Sequence, residues 1–509
     1  MASAMFAISS LCVSSVPTAI WAGGGVSQLR AGCSISRRSS HPKSPSRQSL
    51  ARLRYLGSWR FKRVTSSLGS VVGPYSCATL LTRSQRCSNF SETADTFQCD
   101  PRQLKRGREM SPATTPSISN TNQVRENLRA LVPALKERAA DNERDRRVSD
   151  DIIEDLRRAG AFRVATPRQF GGLESNLRTM LDVSSIIAEG DAGASWVTTL
   201  SNVNAWAVGL FNEQARDDVF CDSPDAVVAG VLAPTVNARA VPGGYRVTGK
   251  WPYSSGSLHS DWCAGGVLLL DDDDTMIDQG MVLLPRSDYV IEDTWYVTGM
   301  RASGSNTVVV DDTFVPEHRM LSMLTIMSGS YVAERVDSEF ARSAFGPMLI
   351  TVLVGPQLGM GRAALEIVRT KATEKSLAYT TFDRQADSVG FQMLVAEAAI
   401  KIDTAHLHAY RAADDVEEWA EHGEYPDLLS RARIRGDAAV ALRSINEALT
   451  LLLDAMGSGG FAEANALQRI WRDSNVAARH AVTMPRVSIE TYGKALLGAP
   501  LHEHITPII

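Results

Sequence analysis

Three short segments of this 509-residue chain carry side chains and spacings suited to chemistry. The first is Gly249-Lys250-Trp251-Pro252-Tyr253-Ser254-Ser255-Gly256, where a strand-like run gives way to small hydroxyl residues and glycine. Serine hydroxyls and backbone N–H groups at a strand end can hydrogen-bond the polar edge of a flat heteroaromatic ligand, and Trp251 can supply a wall. Taken alone, this segment is better read as an ordinary turn after a core strand. The second is Gly299-Met300-Arg301-Ala302-Ser303-Gly304-Ser305, a glycine- and serine-rich loop holding one arginine. Backbone donors in such a loop can cradle a phosphate or a polar ring edge; a plain hairpin turn is the competing account. The third is Gly459-Gly460-Phe461, followed by Arg469-Ile470-Trp471-Arg472-Asp473 and then His480. A glycine break that opens a helix leaves free N–H groups for a ligand, while Arg472 beside Asp473 can equally be a structural pair.

The elements that must position these segments show in the hydrophobic period. Val124, Leu128, Leu131, Val132 and Leu135 build one apolar helix face. Ser149, with Asp150, Asp151 and Glu154 behind it, reads as a helix start: a capping hydroxyl, then carboxylates facing the dipole. Helical pattern continues through Leu177 to Glu189 and Ala194 to Leu210. Near Asp225 the texture changes to short β-rich runs: Val227 to Leu232, Tyr245 to Trp251, Ala264 to Leu270, Met281 to Leu284 and Thr307 to Val310. Turn signals such as Pro242-Gly243-Gly244 separate them, so an antiparallel β domain is expected. The acidic run Asp271 to Asp274 lacks the spaced ligands and central glycine of a calcium loop and reads as a solvated hairpin tip. From about Ser338 long helices return, over Pro347–Ala372, Ala386–His422, Leu428–Met456 and Ala462–Arg479. The predicted fold class is α+β, with an N-terminal helical domain (120–225), a middle antiparallel β domain (226–335) and a C-terminal four-helix bundle (338–509).

Composition narrows the function classes. Hydrophobic residues at 44% and charged residues at 22% are ordinary for a globular chain and exclude disorder over most of it. Met348 to Gly355 is far too short an apolar run to cross a bilayer, so no membrane-spanning role is expected. The net charge of −4 hides an asymmetry. No Asp or Glu precedes Glu92, while twelve Arg and Lys run from Arg30 to Arg86; from Met110 onward there are 37 basic and 53 acidic residues. An acidic body argues against nucleic acid as partner. Five of the seven cysteines fall in the first 100 residues, and Cys221 and Cys263 form no paired CxxC spacing, so neither a disulfide scaffold nor a metal site is indicated. Residues 1–109 are Arg- and Ser-rich and acid-poor, the composition of an organellar (mitochondrial) transit peptide. The alternative is a true start at Met110 and a cytoplasmic protein. In either case the stretch is expected to be disordered and to lie outside the fold.

Three phrases together carry a resemblance: GGYRVTGKWPYSSG, DTWYVTGMRASGSNTVVVDDTFVP and GGFAEANALQRIWRD. From about Asn122 to Leu497 the chain resembles the acyl-CoA dehydrogenase fold. That resemblance implies flavin held between the middle domain and the bundle, with contacts from Trp251, Tyr253, Ser254, Ser255, Arg301, Ser303, Ser305, Gly459 and Gly460. Dehydrogenases of this fold that carry their base on the bundle have a glutamate where this chain reads Ala481. WRDSNVAARH instead resembles the two-component aromatic monooxygenases of this fold, similar to p-hydroxyphenylacetate and secosteroid-phenol hydroxylase oxygenase components. WPYSSG and Asp261-Trp262 point the same way. The resemblance then implies reduced FMN or FAD delivered by a separate reductase, O2, an aromatic or polycyclic substrate, and a homotetrameric or dimeric assembly.

In that chemistry a flavin C4a-hydroperoxide survives only if water is kept out and N5 keeps its proton. Ser255 is the candidate hydroxyl at N5, with Ser254 next. His480, expected on the helix beyond Arg472-Asp473, is the candidate to deprotonate or orient the substrate. His259, His318, His406, His408, His422, His502 and His504 are expected on surfaces or helix faces. Phenol hydroxylases of this branch carry a second histidine where this chain reads Asn204, which can hydrogen-bond a substrate but takes no proton near neutrality; an indole, polycycle or amine is as compatible as a phenol. No GxGxxG opens a βαβ unit, so no nicotinamide site is expected. A flavin-dependent dehydrogenase or oxidase acting on an acyl-CoA thioester, and an inactive scaffold of the same fold, are the alternatives.

Overall fold

The structure is a computed structural model that describes residues 120–335, 338–499, 506, 508 and 509. The expectations for residues 1–109, and for His502 and His504, lie outside these residues.

Five helices come first: α1 (Thr121–Asp145), α2 (Asp150–Arg158), α3 (Leu177–Ala188), α4 (Ala192–Val208) and α5 (Glu213–Phe220). The face predicted on α1 is buried at Val124, Leu128 and Leu135. At the start of α2 Ser149 holds the cap position but makes no side-chain capping bond; its backbone N–H donates to Asn142 Oδ1 at 3.0 Å instead. Asn142 also donates to Asp191 Oδ2 at 2.8 Å. Asp191 in turn caps α4, accepting from the N–H groups of Gly193 (2.7 Å) and Ala194 (3.1 Å). This polar knot seats the start of α4, which is buried on nearly every side and runs through the interior.

Seven strands follow: β1 (Val228–Val241), β2 (Gly244–Ser254), β3 (Trp262–Leu270), β4 (Met276–Pro285), β5 (Val290–Glu292), β6 (Asn306–Pro316) and β7 (Met320–Ser322). They form one sheet in the order β5-β6-β2-β1-β3-β4-β7. The sheet is mixed, which corrects the antiparallel expectation. β1 and β2 pair antiparallel as a hairpin, but β3 returns on the other side of β1 and runs parallel to it. Hairpin-like turn signals fix only local pairing, and they cannot say on which side of the hairpin a later strand lands. Val236, Val247, Trp251, Val267, Val282 and Val308 form the sheet's own apolar core. Where β2 pairs with β6 the register shifts between Trp251 and Ser254. That bulge puts one extra residue on β2 before Ser254 pairs with Asn306, and so turns the strand end.

The remaining helices are α6 (Met323–Ser328), α7 (Tyr331–Glu334), α8 (Phe345–Val352), α9 (Gly355–Ala372), α10 (Val389–His422), α11 (Leu428–Met456), α12 (Ala466–Ala477) and α13 (Pro485–Leu496). The single helix predicted over 347–372 is broken between α8 and α9, where Pro356 sits in the first turn of α9. That apolar stretch, Phe345–Ala372, has the length and composition to cross a bilayer, yet its most apolar window is 83% buried inside the protein. A polar clasp holds α12 in place. Gln357 on α9 donates to the Ser474 carbonyl at 2.9 Å, Ser474 Oγ donates back to Gln357 Oε1 at 2.5 Å, and Asn446 on α11 donates to Ser474 Oγ at 2.7 Å.

Candidate active site

The end of β2, the loop before β6 and the interior helix α4 meet around four polar side chains. Tyr253, inside the bulge, has φ 65°, an unfavourable backbone state for a residue with a Cβ. Strain of this kind persists where the surroundings over-determine it and concentrates at functional sites. Two residues on, Ser255 Oγ lies 2.7 Å from Ser305 Oγ, and Ser305 Oγ lies 2.7 Å from Ser303 Oγ. Ser303 Oγ donates to the Met300 carbonyl at 2.7 Å. From α4, Trp196 Nε1 donates to Ser255 Oγ at 3.2 Å. A backbone bond from Gly256 N–H to the Ser303 carbonyl at 3.0 Å joins the two loops directly. The first two segments singled out in the sequence therefore converge, through hydroxyls.

The third segment arrives along α12. Asp473 is buried and accepts from the Met300 N–H at 2.5 Å; burial pushes its carboxyl up to about 7. Gly299 makes this approach possible, because a Cβ there would lie 2.4 Å from the Arg472 carbonyl oxygen. Arg472 turns away from the site to Glu143, 2.6 Å off, and to the Thr298 carbonyl. Past the end of α12, His480 meets Trp196 edge to face, with ring centroids 5.8 Å apart and planes at 61°. His480 was expected on this helix; α12 ends at Ala477, and His480 lies in the turn beyond it. The turn closes on the ring: the Val482 N–H donates to His480 Nδ1 at 3.4 Å. In the neutral ring Nδ1 is thus the acceptor and Nε2 carries the hydrogen. Desolvation lowers the imidazole to about 4, so it is uncharged at neutral pH.

Several expected contributors stand elsewhere. Trp251 does not wall the site: it is fully buried in the sheet core, where its Nε1 donates to the Gly266 carbonyl at 2.7 Å. The strand predicted there alternates sides, and this position points inward. Ser254 Oγ is also fully buried, donating to the Trp251 carbonyl at 3.0 Å inside the turn. Tyr253 is 69% exposed and packs edge-on against Trp295, centroids 5.9 Å apart. Arg301 is tied to backbone carbonyls, Nε to Glu143 and Nη1 to Val297, each at 3.1 Å, and takes no part in the hydroxyl chain. Asn204, two turns along α4 from Trp196, donates to the Val228 carbonyl of β1 at 3.0 Å. Gly459 and Gly460 precede α12 whereas His480 follows it, so the helix, at 1.5 Å per residue, separates them by about 18 Å. There Asn465, not a ligand, caps α12 and binds the Gly459 carbonyl at 3.0 Å.

Trp196 was missed. It joins Ser255 to His480, but in the sequence it is one more apolar residue of a fully buried helix. It cannot be told there from Trp206, which serves the core and donates to the Phe340 carbonyl at 3.0 Å.

The glycine-flanked strand end thus gathers a buried hydroxyl chain, an indole and a neutral imidazole. The profile of the family described as acyl-CoA dehydrogenase, C-terminal domain, matches residues 351–485. The chain is 31% identical over 376 residues to the flavin-dependent monooxygenase oxygenase subunit HsaA of Rhodococcus jostii, spanning 74% of this chain and 98% of that protein. It is also 31% identical to the FADH2-dependent resorcinol hydroxylase oxygenase component of a Rhizobium species, spanning 71% of this chain and 90% of that one. Among solved structures, XiaF from a Streptomyces species, in complex with FADH2 and glycerol, aligns with a TM-score of 0.74 at 35% identity over 76% of this chain and 98% of that one. The fold is that of the acyl-CoA dehydrogenases. The chain belongs to the family of flavin-dependent monooxygenase oxygenase subunits, and it is a flavin-dependent enzyme of that kind.

Proposed function

We propose that this chain hydroxylates an aromatic or polycyclic small molecule with O2, using reduced FMN or FAD delivered by a separate reductase. The observation that carries this reading is the junction of Ser255, Trp196 and His480, which brings a hydroxyl, an indole and an uncharged imidazole into contact between sheet and α12. The donor set fits a flavin: it presents no charge at the hydroxyl chain and offers hydrogen-bonding atoms suited to a ring N–H. Ser255 would hold the flavin's N5 edge, and Trp196 would stand beside it. Reduced flavin, when bound, supplies two electrons, so that one oxygen atom enters the ring C–H bond as hydroxyl and the other leaves as water.

His480 works as an orienting group. A histidine held at about 4 is a weak base, and its Nε2–H is poised to donate to an acceptor on the substrate. Asn204, held by the sheet, is a positioning residue at the far end of the same helix face. Burial of the hydroxyl chain keeps water from the reacting atoms.

The assembly is a homodimer or homotetramer. On α10, Val389, Met393, Ile400 and Leu407 stand 66%, 69%, 65% and 74% exposed, and their near-heptad spacing makes the kind of seam that a second copy buries.

The test is direct. The protein is mixed anaerobically with chemically reduced FMN or FAD, then with aerated buffer and a panel of phenols, indoles and polycycles. Hydroxylated product with little hydrogen peroxide is expected for a matching substrate. Absence of any flavin binding would show an inactive scaffold, and bleaching of oxidised flavin by an acyl-CoA would establish the thioester reaction instead.

A further inference from the structure

Each serine hydroxyl has one hydrogen to donate, and the contacts around Ser255 allow only one way to share them. The Met300 carbonyl can only accept, so the Ser303 hydrogen goes to it across 2.7 Å. That carbonyl is held in place by Trp295 Nε1, which also donates to it at 2.9 Å. The Ser303–Ser305 contact of 2.7 Å then requires Ser305 to donate. The Ser255–Ser305 contact of 2.7 Å requires Ser255 to donate in its turn. Trp196 Nε1 is a donor only, and it takes one of the two Ser255 lone pairs at 3.2 Å. The hydrogen bonds all run one way, from Trp196 through three serines to Met300. What Ser255 has left for a ligand is one acceptor lone pair and no hydrogen.

We propose that Ser305 and Ser303 lock Ser255 as an obligate acceptor, so that the site selects reduced flavin, whose N5 bears a hydrogen, over oxidised flavin, whose N5 is a bare acceptor. This rests on the reading that Ser255 meets N5. Against oxidised flavin two lone pairs would face each other in a desolvated site, and for Ser255 to turn its hydroxyl outward the whole chain would have to break. The device suits an oxygenase that takes reduced flavin from another protein and must release it oxidised. A buried acceptor left unmatched corresponds to a preference of about 10-fold to 100-fold. Ser305 and Ser303 touch no flavin atom in this scheme; they act through Ser255 and are positioning residues.

The experiment is equilibrium binding, without turnover, of reduced flavin under anaerobic conditions and of oxidised flavin, to the full chain and its variants. The wild type should bind the reduced form at least about 10-fold more tightly. Ser305→Ala releases the Ser255 hydrogen, which can then turn to oxidised N5. The oxidised form should bind more tightly and the preference should shrink about 10-fold. Ser303→Ala, one link further away, should act in the same direction, and it serves should Ser305→Ala fail to fold by circular dichroism. Trp196→Phe frees a lone pair but no hydrogen, so the preference for the reduced form should persist. A preference unchanged in both folded serine variants overturns the inference while leaving the functional reading intact. A wild type that binds neither form overturns that reading, and the inference with it.

Discussion

On the proposed reading, the Ser255 hydroxyl decides between productive hydroxylation and loss of the reducing power as peroxide. Ser255→Ala should still bind flavin but release more hydrogen peroxide per reduced flavin oxidised. One lost hydrogen bond of about 1–3 kcal/mol corresponds to roughly one to two decades. An unchanged peroxide yield would remove Ser255 from N5. Losing the orienting contact in His480→Ala should slow hydroxylation by about 100-fold while oxygen consumption continues; a lower melting temperature with unchanged coupling would mark His480 as a packing residue. Its titration gives a second handle. Burial lowers His480 from 6.5 to about 4, so between those values the unfolded chain takes up a proton that the native state refuses. Stability should therefore be lost as pH falls through that window. Urea denaturation at pH 7.5 and pH 5 should show a smaller drop for His480→Gln than for the wild type, and the hydroxylation rate should show no inflection near 6.5.

At the level of elements, the loop before β6 is tied to α12 by the Met300 N–H, which donates to Asp473, and by Arg472, which donates to the Thr298 carbonyl. Asp473 titrates with the opposite sign to His480. Its carboxyl is raised from 3.8 to about 7, so the native state binds a proton that the unfolded chain has lost, and stability falls as pH rises between those values. Asp473→Asn keeps an acceptor for Met300 without the buried charge, and it should match or exceed the wild type in melting temperature at pH 8. Asp473→Ala leaves the N–H unmatched and should cost about 1–3 kcal/mol. If Asn is as damaging as Ala, the charge itself is needed. Element boundaries also explain the misplacement of His480. Nothing in SNVAARH stops a helical pattern, and the turn exists because Val482 and Thr483 fold back on it, Val482 to the ring and Thr483 N–H to the His480 carbonyl at 3.0 Å.

For the whole molecule, the apolar seam on α10 predicts association. Ile400→Glu with Leu407→Glu should shift sedimentation towards a smaller species, because like charges would face each other across a contact between copies. An unchanged sedimentation coefficient would place the interface elsewhere. The interior helix α4 makes the candidate site dependent on the molecule as a whole. It carries Trp196 towards Ser255 and His480, and it carries Asn204 towards β1, so sheet and helices must be assembled before any of these contacts exists.

The sequence by itself determined the succession of helices, strands and helices, since periods of 3.6 and 2 are local properties of the chain. It also marked the glycine–serine loops and His480, because turn chemistry and a family's phrases are written in consecutive residues. Only the tertiary structure decided the parallel β1–β3 pairing, the inward turn of Trp251 and Ser254, and the capture of Arg301 and Asn204 by backbone carbonyls. It alone brought Trp196 to the site and gave the serine chain its direction. Residues 196, 255, 305 and 480 are far apart in the chain, and a hydrogen bond's donor is settled only when every neighbour competing for the same proton is in place.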